Sequence, residues 1–202
     1  MKRTAAQKSL RGLRREEIVA AARALVAERG LEGLTFAALE IALGYSRGII
    51  TYHFRDKDEI VEEVLRSAVA EIDADTTAEV RAARSFEEKI EAVLRSKLRG
   101  FTQSREAGRI LLSFWGRLWF DKRAKKLNAQ LFEGYRAQSQ ALIEAGQAAG
   151  LLHPSADAQA LGALLVGAVI GLATQHYFDE GSVDLEAGLL EAAQAFAARL
   201  SP

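Results

Sequence analysis

The chain contains no cysteine, which excludes disulfides, thiolate metal sites and thiol nucleophiles. A cysteine-free chain suits a reducing compartment, and a cytoplasmic protein is expected. Its basic N-terminus lacks an apolar h-region, so no secretory signal is expected. Proline is scarce as well, with only Pro154 and Pro202. So few helix breakers, in a chain rich in Ala, Leu, Glu and Arg, point to an all-α protein. The three histidines, His53, His153 and His176, are not spaced as helical metal ligands. No GxGxxG, no phosphate-binding Gly-Lys-Ser/Thr loop and no Glu-xx-His pair occurs, so no enzyme, metal or cofactor is expected.

The chain also lacks net charge, with 27 Lys/Arg against 27 Asp/Glu in 202 residues. That balance at first argues against a nucleic-acid partner, but the distribution reverses the reading. Residues 1–57 carry 11 basic and 6 acidic side chains, whereas residues 58–202 carry 16 and 21. A basic segment on an acidic body fits a DNA-facing module joined to something else. Lys2, Arg3, Lys8, Arg11, Arg14 and Arg15 make residues 1–13 and their border a flexible basic arm that can reach phosphates. The alternative is a solvated terminus.

Residues 35–57 are the most informative stretch. Phe36, Leu39 and Leu43 give a short helix one apolar face, with Thr35 as N-cap and Gly44 ending it. Ser46 caps a second short helix, in which Ile49 and Ile50 point inward and Arg47, Gly48 and Thr51 outward. Two short helices joined by a glycine-containing turn form a helix-turn-helix, whose second helix enters the major groove. Arg47, Thr51 and Tyr45 are the candidates for base edges, since an arginine there can grip guanine O6 and N7. Thr35, Ser46, Tyr52, His53 and Lys57 suit phosphates, and Gly48 keeps the helix surface flat. For Tyr52 and His53 the competing reading is plain packing of the second helix on the first.

Thr35, Leu39, Gly44, Ser46, Gly48, Tyr52, His53, Phe54 and Lys57 fall at the spacing of the TetR family of bacterial transcriptional regulators, which this segment resembles. Glu40 stands where that family usually has alanine, and Tyr45 where it usually has valine. The later half resembles the BetI-type regulatory domain through Phe114-Trp115 and the Gly-Leu-Ala-Thr-Gln run at 171–175. The resemblance implies a homodimeric repressor that leaves a pseudo-palindromic double-stranded DNA operator when a small molecule binds. It implies a bacterial protein associated with the nucleoid when DNA-bound.

The rest reads as helices. A first helix covers 14–30, and a long one starts at Asp56 with Glu59 as capping-box partner. After a polar stretch, Ser85 and Glu88 form another capping box. Further helices open at Ser104, at residue 122, at Ser155 and at Asp184. About nine helices are expected, with a three-helix DNA-binding domain at 14–58 and a ligand-binding and dimerisation bundle at 59–202. No charge falls between Ala158 and Phe178. With glutamines, glycines and nearby acids this run reads as a bundle helix, not a membrane span. The resemblance implies dimer packing through the helices at about 155–180 and 184–200.

For the small molecule, the aromatics draw attention. Phe114, Trp115, Leu118 and Trp119 share or border one helical face, and Phe101, Phe132 and Tyr135 can face them. Gln175 and His176 are polar groups on an apolar helix. A mostly apolar cavity with few polar groups is what an effector site needs, although aromatics at helical spacing also build cores. Arg105, Arg109, Arg117, Lys122, Arg123, Lys125 and Lys126 could attract an anionic effector or form a solvated charged face. The second function class is a helical ligand-binding or scaffold protein that has lost DNA binding, and Glu40 is its ground.

Overall fold

The computed structural model describes residues 5–73, 80–117 and 119–200. Nine helices with defined bounds occur among them: α1 Ala5–Gly33, α2 Phe36–Leu43, α3 Arg47–His53, α4 Lys57–Asp73, α5 Phe86–Gln103, α6 Arg105–Trp115, α7 Lys122–Ala148, α8 Ala158–Phe178 and α9 Leu185–Leu200. Residues 80–82 are also helical, and no strand occurs among the described residues. The fold is all-α, as the composition requires.

The chain divides into two compact units, residues 1–70 with 105–125, and residues 71–104 with 126–202. The division differs from the boundary expected after residue 58. Most of α4 and all of α6 belong to the first unit.

In the first unit, Ile18, Ala22 and Val26 of α1 are fully buried. Against α1 lies α6, whose Ile110, Leu111 and Phe114 are equally buried. Ion pairs border this contact, with Arg23 Nε 2.7 Å from Glu106 and Arg117 Nη1 2.6 Å from Glu32. The helix α1 starts at Ala5, nine residues before the expected position, and its helical geometry breaks at Gly30. Residues 5–13 are therefore not an irregular arm. Lys2, Arg3 and the side chain of Lys8 lie outside the described residues.

In the second unit, α5 packs against α8 and α9. It opens on the expected capping box: Glu88 N–H donates to Ser85 Oγ at 3.1 Å, and Ser85 N–H donates back to the Glu88 carboxylate at 3.4 Å. The next helices are capped by aspartates. Asp157 accepts from Ala160 N–H and Asp184 from Ala187 N–H, both at 3.0 Å, so α8 begins at Ala158, after the expected Ser155. Where α7 meets α8, a Cβ on Gly162 would lie 2.9 Å from the Gln140 backbone nitrogen, so only glycine fits. Gly167 and Gly171 instead face open space.

The face of α8 that looks into the unit carries Leu161, Leu165, Val169 and Ala173. Its other face is also apolar yet uncovered, with Leu164 60% and Phe178 80% exposed. This helix is long and apolar enough to cross a membrane, and it is the one such helix among the described residues.

Candidate nucleic-acid interface and ligand cavity

The turn between α2 and α3 is built by local chemistry. Thr35 Oγ1 accepts from Ala38 N–H at 3.0 Å, which fixes the start of α2. Gly44 ends it in the left-handed region at φ 65°, with its N–H on Glu40 O at 2.9 Å. Ser46 stands at the N-cap of α3 by its backbone, and its carbonyl accepts from Ile49 N–H at 2.9 Å. Its hydroxyl makes no capping bond, unlike that of Thr35.

On α3, Ile50 and the following Phe54 are fully buried and anchor one face. Each such burial contributes roughly 1.5–3 kcal/mol. Arg47, Gly48 and Thr51 occupy the exposed face. The Arg47 guanidinium rests over the Phe36 ring, 4.9 Å from its centroid. Thr51 turns its hydroxyl back to Arg47 O at 3.0 Å, so its methyl is the group left to face outward. The Tyr45 hydroxyl donates to the Glu17 carboxylate on α1. That bond, with burial and the Glu17 charge, raises the pKa of the phenol.

The expected phosphate contacts divide. Thr35 and Ser46 are exposed, and Tyr52 is 53% exposed with Arg11 5.4 Å above its ring. His53, only 7% exposed, packs inside, its ring edge-on to Tyr52 at 5.1 Å between centroids. Lys57 donates to Leu31 O at 3.5 Å near the end of α1. Arg15, grouped by sequence with the arm, is engaged internally. Its guanidinium donates to His53 O at 2.9 Å, to Glu59 at 3.2 Å and to Glu63 at 3.1 Å, and it covers the Phe54 ring at 4.1 Å. One side chain thus ties the end of α3 to α1 and α4.

The residues of the expected aromatic cluster fall in both units. Phe114 is core of the first unit, Trp119 is 90% exposed, and Leu118 lies outside the described residues. The helix α6 ends at Trp115. The chain then turns, with Phe120 and Asp121 N–H both donating to Arg117 O at 3.0 Å, so helical spacing no longer applies beyond residue 115. Within the basic cluster, Arg117 pairs with Glu32, and Arg123 pairs with Asp58 at 2.7 Å and Glu62 at 2.5 Å.

The second unit contains a cavity of about 180 Å³ between α5, α7 and α8. Phe101 and Tyr135 line it, as expected. Trp115, Phe132, Gln175 and His176 do not line it, and Gln175 donates back to Gly171 O at 3.1 Å. The walls are largely aliphatic, with Val93, Leu142, Leu165, Val166, Val169 and Ile170, and Gln138 and Ser139 add two neutral polar side chains. Sequence reasoning passed over Lys97, although a signal existed, because Lys97 interrupts the apolar stripe Ile90, Val93, Leu94, Leu98, Phe101 of α5.

Lys97 is largely buried and ion-pairs with Asp73 at the end of α4. Its ammonium also lies 5.1 Å from the Tyr135 ring centroid. The buried Tyr135 hydroxyl has no hydrogen-bond partner within 3.5 Å, although the Asp73 carboxylate lies near enough to act on it. Burial first, and the Asp73 carboxylate second, push its pKa well up, so it remains a protonated donor.

Comparison with known proteins agrees with this geometry. The family described as bacterial regulatory proteins, tetR family, matches residues 18–64, and the BetI-type transcriptional repressor C-terminal family matches residues 86–202. The HTH-type transcriptional regulator BetI of Burkholderia ambifaria strain MC40-6 is 26% identical over 181 residues, which is 89% of this chain and 90% of that protein. Its counterpart in Vibrio parahaemolyticus is 24% identical over 147 residues, covering 70% of this chain and 74% of that one. Among solved structures, a TetR transcriptional regulator from Chloroflexus aurantiacus has a TM-score of 0.81 at 20% identity, covering 96% of this chain and 98% of its own. A transcriptional regulator from Saccharomonospora viridis in complex with choline has a TM-score of 0.78 at 20% identity, covering 95% and 99%.

Proposed function

This chain belongs to the TetR family of bacterial transcriptional regulators, and from that premise we propose that two copies place their α3 helices in successive major grooves of a pseudo-palindromic operator, as a repressor. It is a DNA-binding regulator and not an enzyme. The reading of a scaffold without DNA binding, grounded on Glu40, is not favoured by these relatives.

The observation that carries the proposal is the exposed face of α3. Arg47, Gly48 and Thr51 stand clear while Ile50 and Phe54 hold the opposite face. Arg47, Thr51 and Tyr45 then read bases, and Thr35, Ser46, Tyr52 and Lys57 hold phosphates. The second copy packs on the uncovered face of α8 and on α9, where Leu164, Phe178 and Leu190 are exposed. The protein works in the cytoplasm, at the nucleoid when bound.

The cavity lined by Phe101 and Tyr135 is the effector site. An effector releases DNA only if it binds the released state more tightly, and a coupling of about 1–3 kcal/mol suffices.

The test is selection of bound duplexes from a random library by the purified protein. The expected product is an inverted repeat whose half-site centres lie ~34–36 Å apart, or somewhat more. A single unrepeated half-site would overturn the dimeric reading. No enrichment, by protein refolded free of small molecules, would overturn sequence-specific binding.

A further inference from the structure

Among the described residues, the charges at the cavity wall and its border are Lys97 and Asp73, which neutralise each other, while the buried Tyr135 hydroxyl on that wall makes no hydrogen bond. We propose that the cavity takes a small, uncharged, largely apolar molecule carrying an oxygen acceptor, such as a ketone, which receives a hydrogen bond from Tyr135. The inference deepens the effector reading above. It rests on that reading for DNA release, though not for binding.

Size sets the first limit. The cavity of about 180 Å³ is little larger than the roughly 150 Å³ apolar space that holds one benzene. Drug-sized ligands occupy ~300–1,000 Å³, so a single ring or a short chain is what fits. The walls set the second limit. Leu142, Leu165, Val166, Val169 and Ile170 offer dispersion contacts and no polar atoms from their side chains, and besides Lys97 and Tyr135 the polar side chains on the wall are the neutral Gln138 and Ser139.

Charge sets the third. An anion would have to take Lys97 from Asp73 and leave that carboxylate uncompensated. A cation meets the reverse difficulty. Asp73 is already engaged, and the Tyr135 ring already has the Lys97 ammonium against it at 5.1 Å. Phe101 alone does not make a cage for a quaternary ammonium. A neutral acceptor disturbs neither partner of the ion pair and satisfies the phenol. An unpaired buried hydroxyl carries a desolvation cost that such a ligand removes.

The test uses four probes of similar size on the full-length protein: acetophenone, ethylbenzene, benzoate and choline, followed by calorimetry. Acetophenone should bind most tightly, ethylbenzene about three- to tenfold more weakly, and benzoate and choline more weakly than either. Tyr135→Phe should remove the preference for acetophenone over ethylbenzene and leave ethylbenzene unchanged. Val169→Trp, or Leu165→Phe if that variant does not fold, should fill the space and abolish both.

Four results would overturn the inference. They are tighter binding of benzoate or choline, an equal loss of both neutral probes in Tyr135→Phe, acetophenone binding that survives the filled cavity, and no binding by any probe. Release of bound operator by acetophenone is read in parallel. Binding without release would uphold the ligand class and overturn the effector reading of the cavity.

Discussion

The Arg47 guanidinium lies 4.9 Å from the centroid of the Phe36 ring, so the first side chain of α3 is braced against α2. A braced arginine loses less freedom on meeting a base, which favours a planar, bidentate contact with guanine. Arg47→Ala should cost about 1–3 kcal/mol on the preferred operator and flatten preference at one base pair in each half-site. Lys57→Ala should weaken all sequences alike and lower the salt slope by about one. Binding titrations of both variants, on the selected operator and single-base variants at several salt concentrations, separate the roles. Uniform weakening by Arg47→Ala would remove it from base reading. An unchanged slope for Lys57→Ala would leave it only its bond to Leu31 O.

Acid stability should depend on Glu59. Its carboxylate accepts from Arg55 N–H at 2.9 Å and from Arg15 at 3.2 Å. The backbone bond foremost, and then Arg15, hold its pKa below the ordinary value. A depressed native pKa means the folded chain binds fewer protons than the unfolded one. The stability it contributes is therefore complete only above the ordinary glutamate value, from about pH 5 upward, and is lost as pH falls through the lowered value. Glu59→Gln should lower the urea midpoint at neutral pH, and its gap from the parent should close on acidification. A gap that stays constant into acid would show that the ionised form contributes nothing.

The helix-turn-helix was legible because its signals are local. The Thr35 cap, the left-handed Gly44 and the outward Arg47 depend on neighbours within a few residues, and periodicity alone assigns Ile50 to the core. The side of α3 that His53 occupies was not legible, since an imidazole suits either a phosphate or a packed interior. The aromatics at 114–119 were grouped on helical spacing alone. Their spacing has meaning only on a continuous helix, and the chain turns after Trp115. The cavity is the least local feature. Lys97 marked it in sequence, but its pairing with Asp73 and the juxtaposition of α5, α7 and α8 arise only in the folded unit. The glycines of α8 serve different surfaces, Gly162 against α7 and Gly167 and Gly171 facing open space, which their residue type alone does not reveal.

That difference between glycines makes the last prediction. A methyl at Gly162 would meet Gln140 N at 2.9 Å and Arg136 O at 3.1 Å, both backbone atoms that cannot swing aside. Gly162→Ala should therefore lower stability by about 1–3 kcal/mol, seen as a reduced urea midpoint. Gly167 meets nothing within 4 Å, so a methyl there costs no packing within one copy. It lies on the same uncovered side as Leu164, where a charge is harmless to a monomer and ruinous to an apolar interface. Leu164→Glu should leave helicity unchanged, turn dimers into monomers by sedimentation, and abolish operator binding while acetophenone still binds. Leu164→Glu that sediments as the parent does would take this face of α8 out of the dimer.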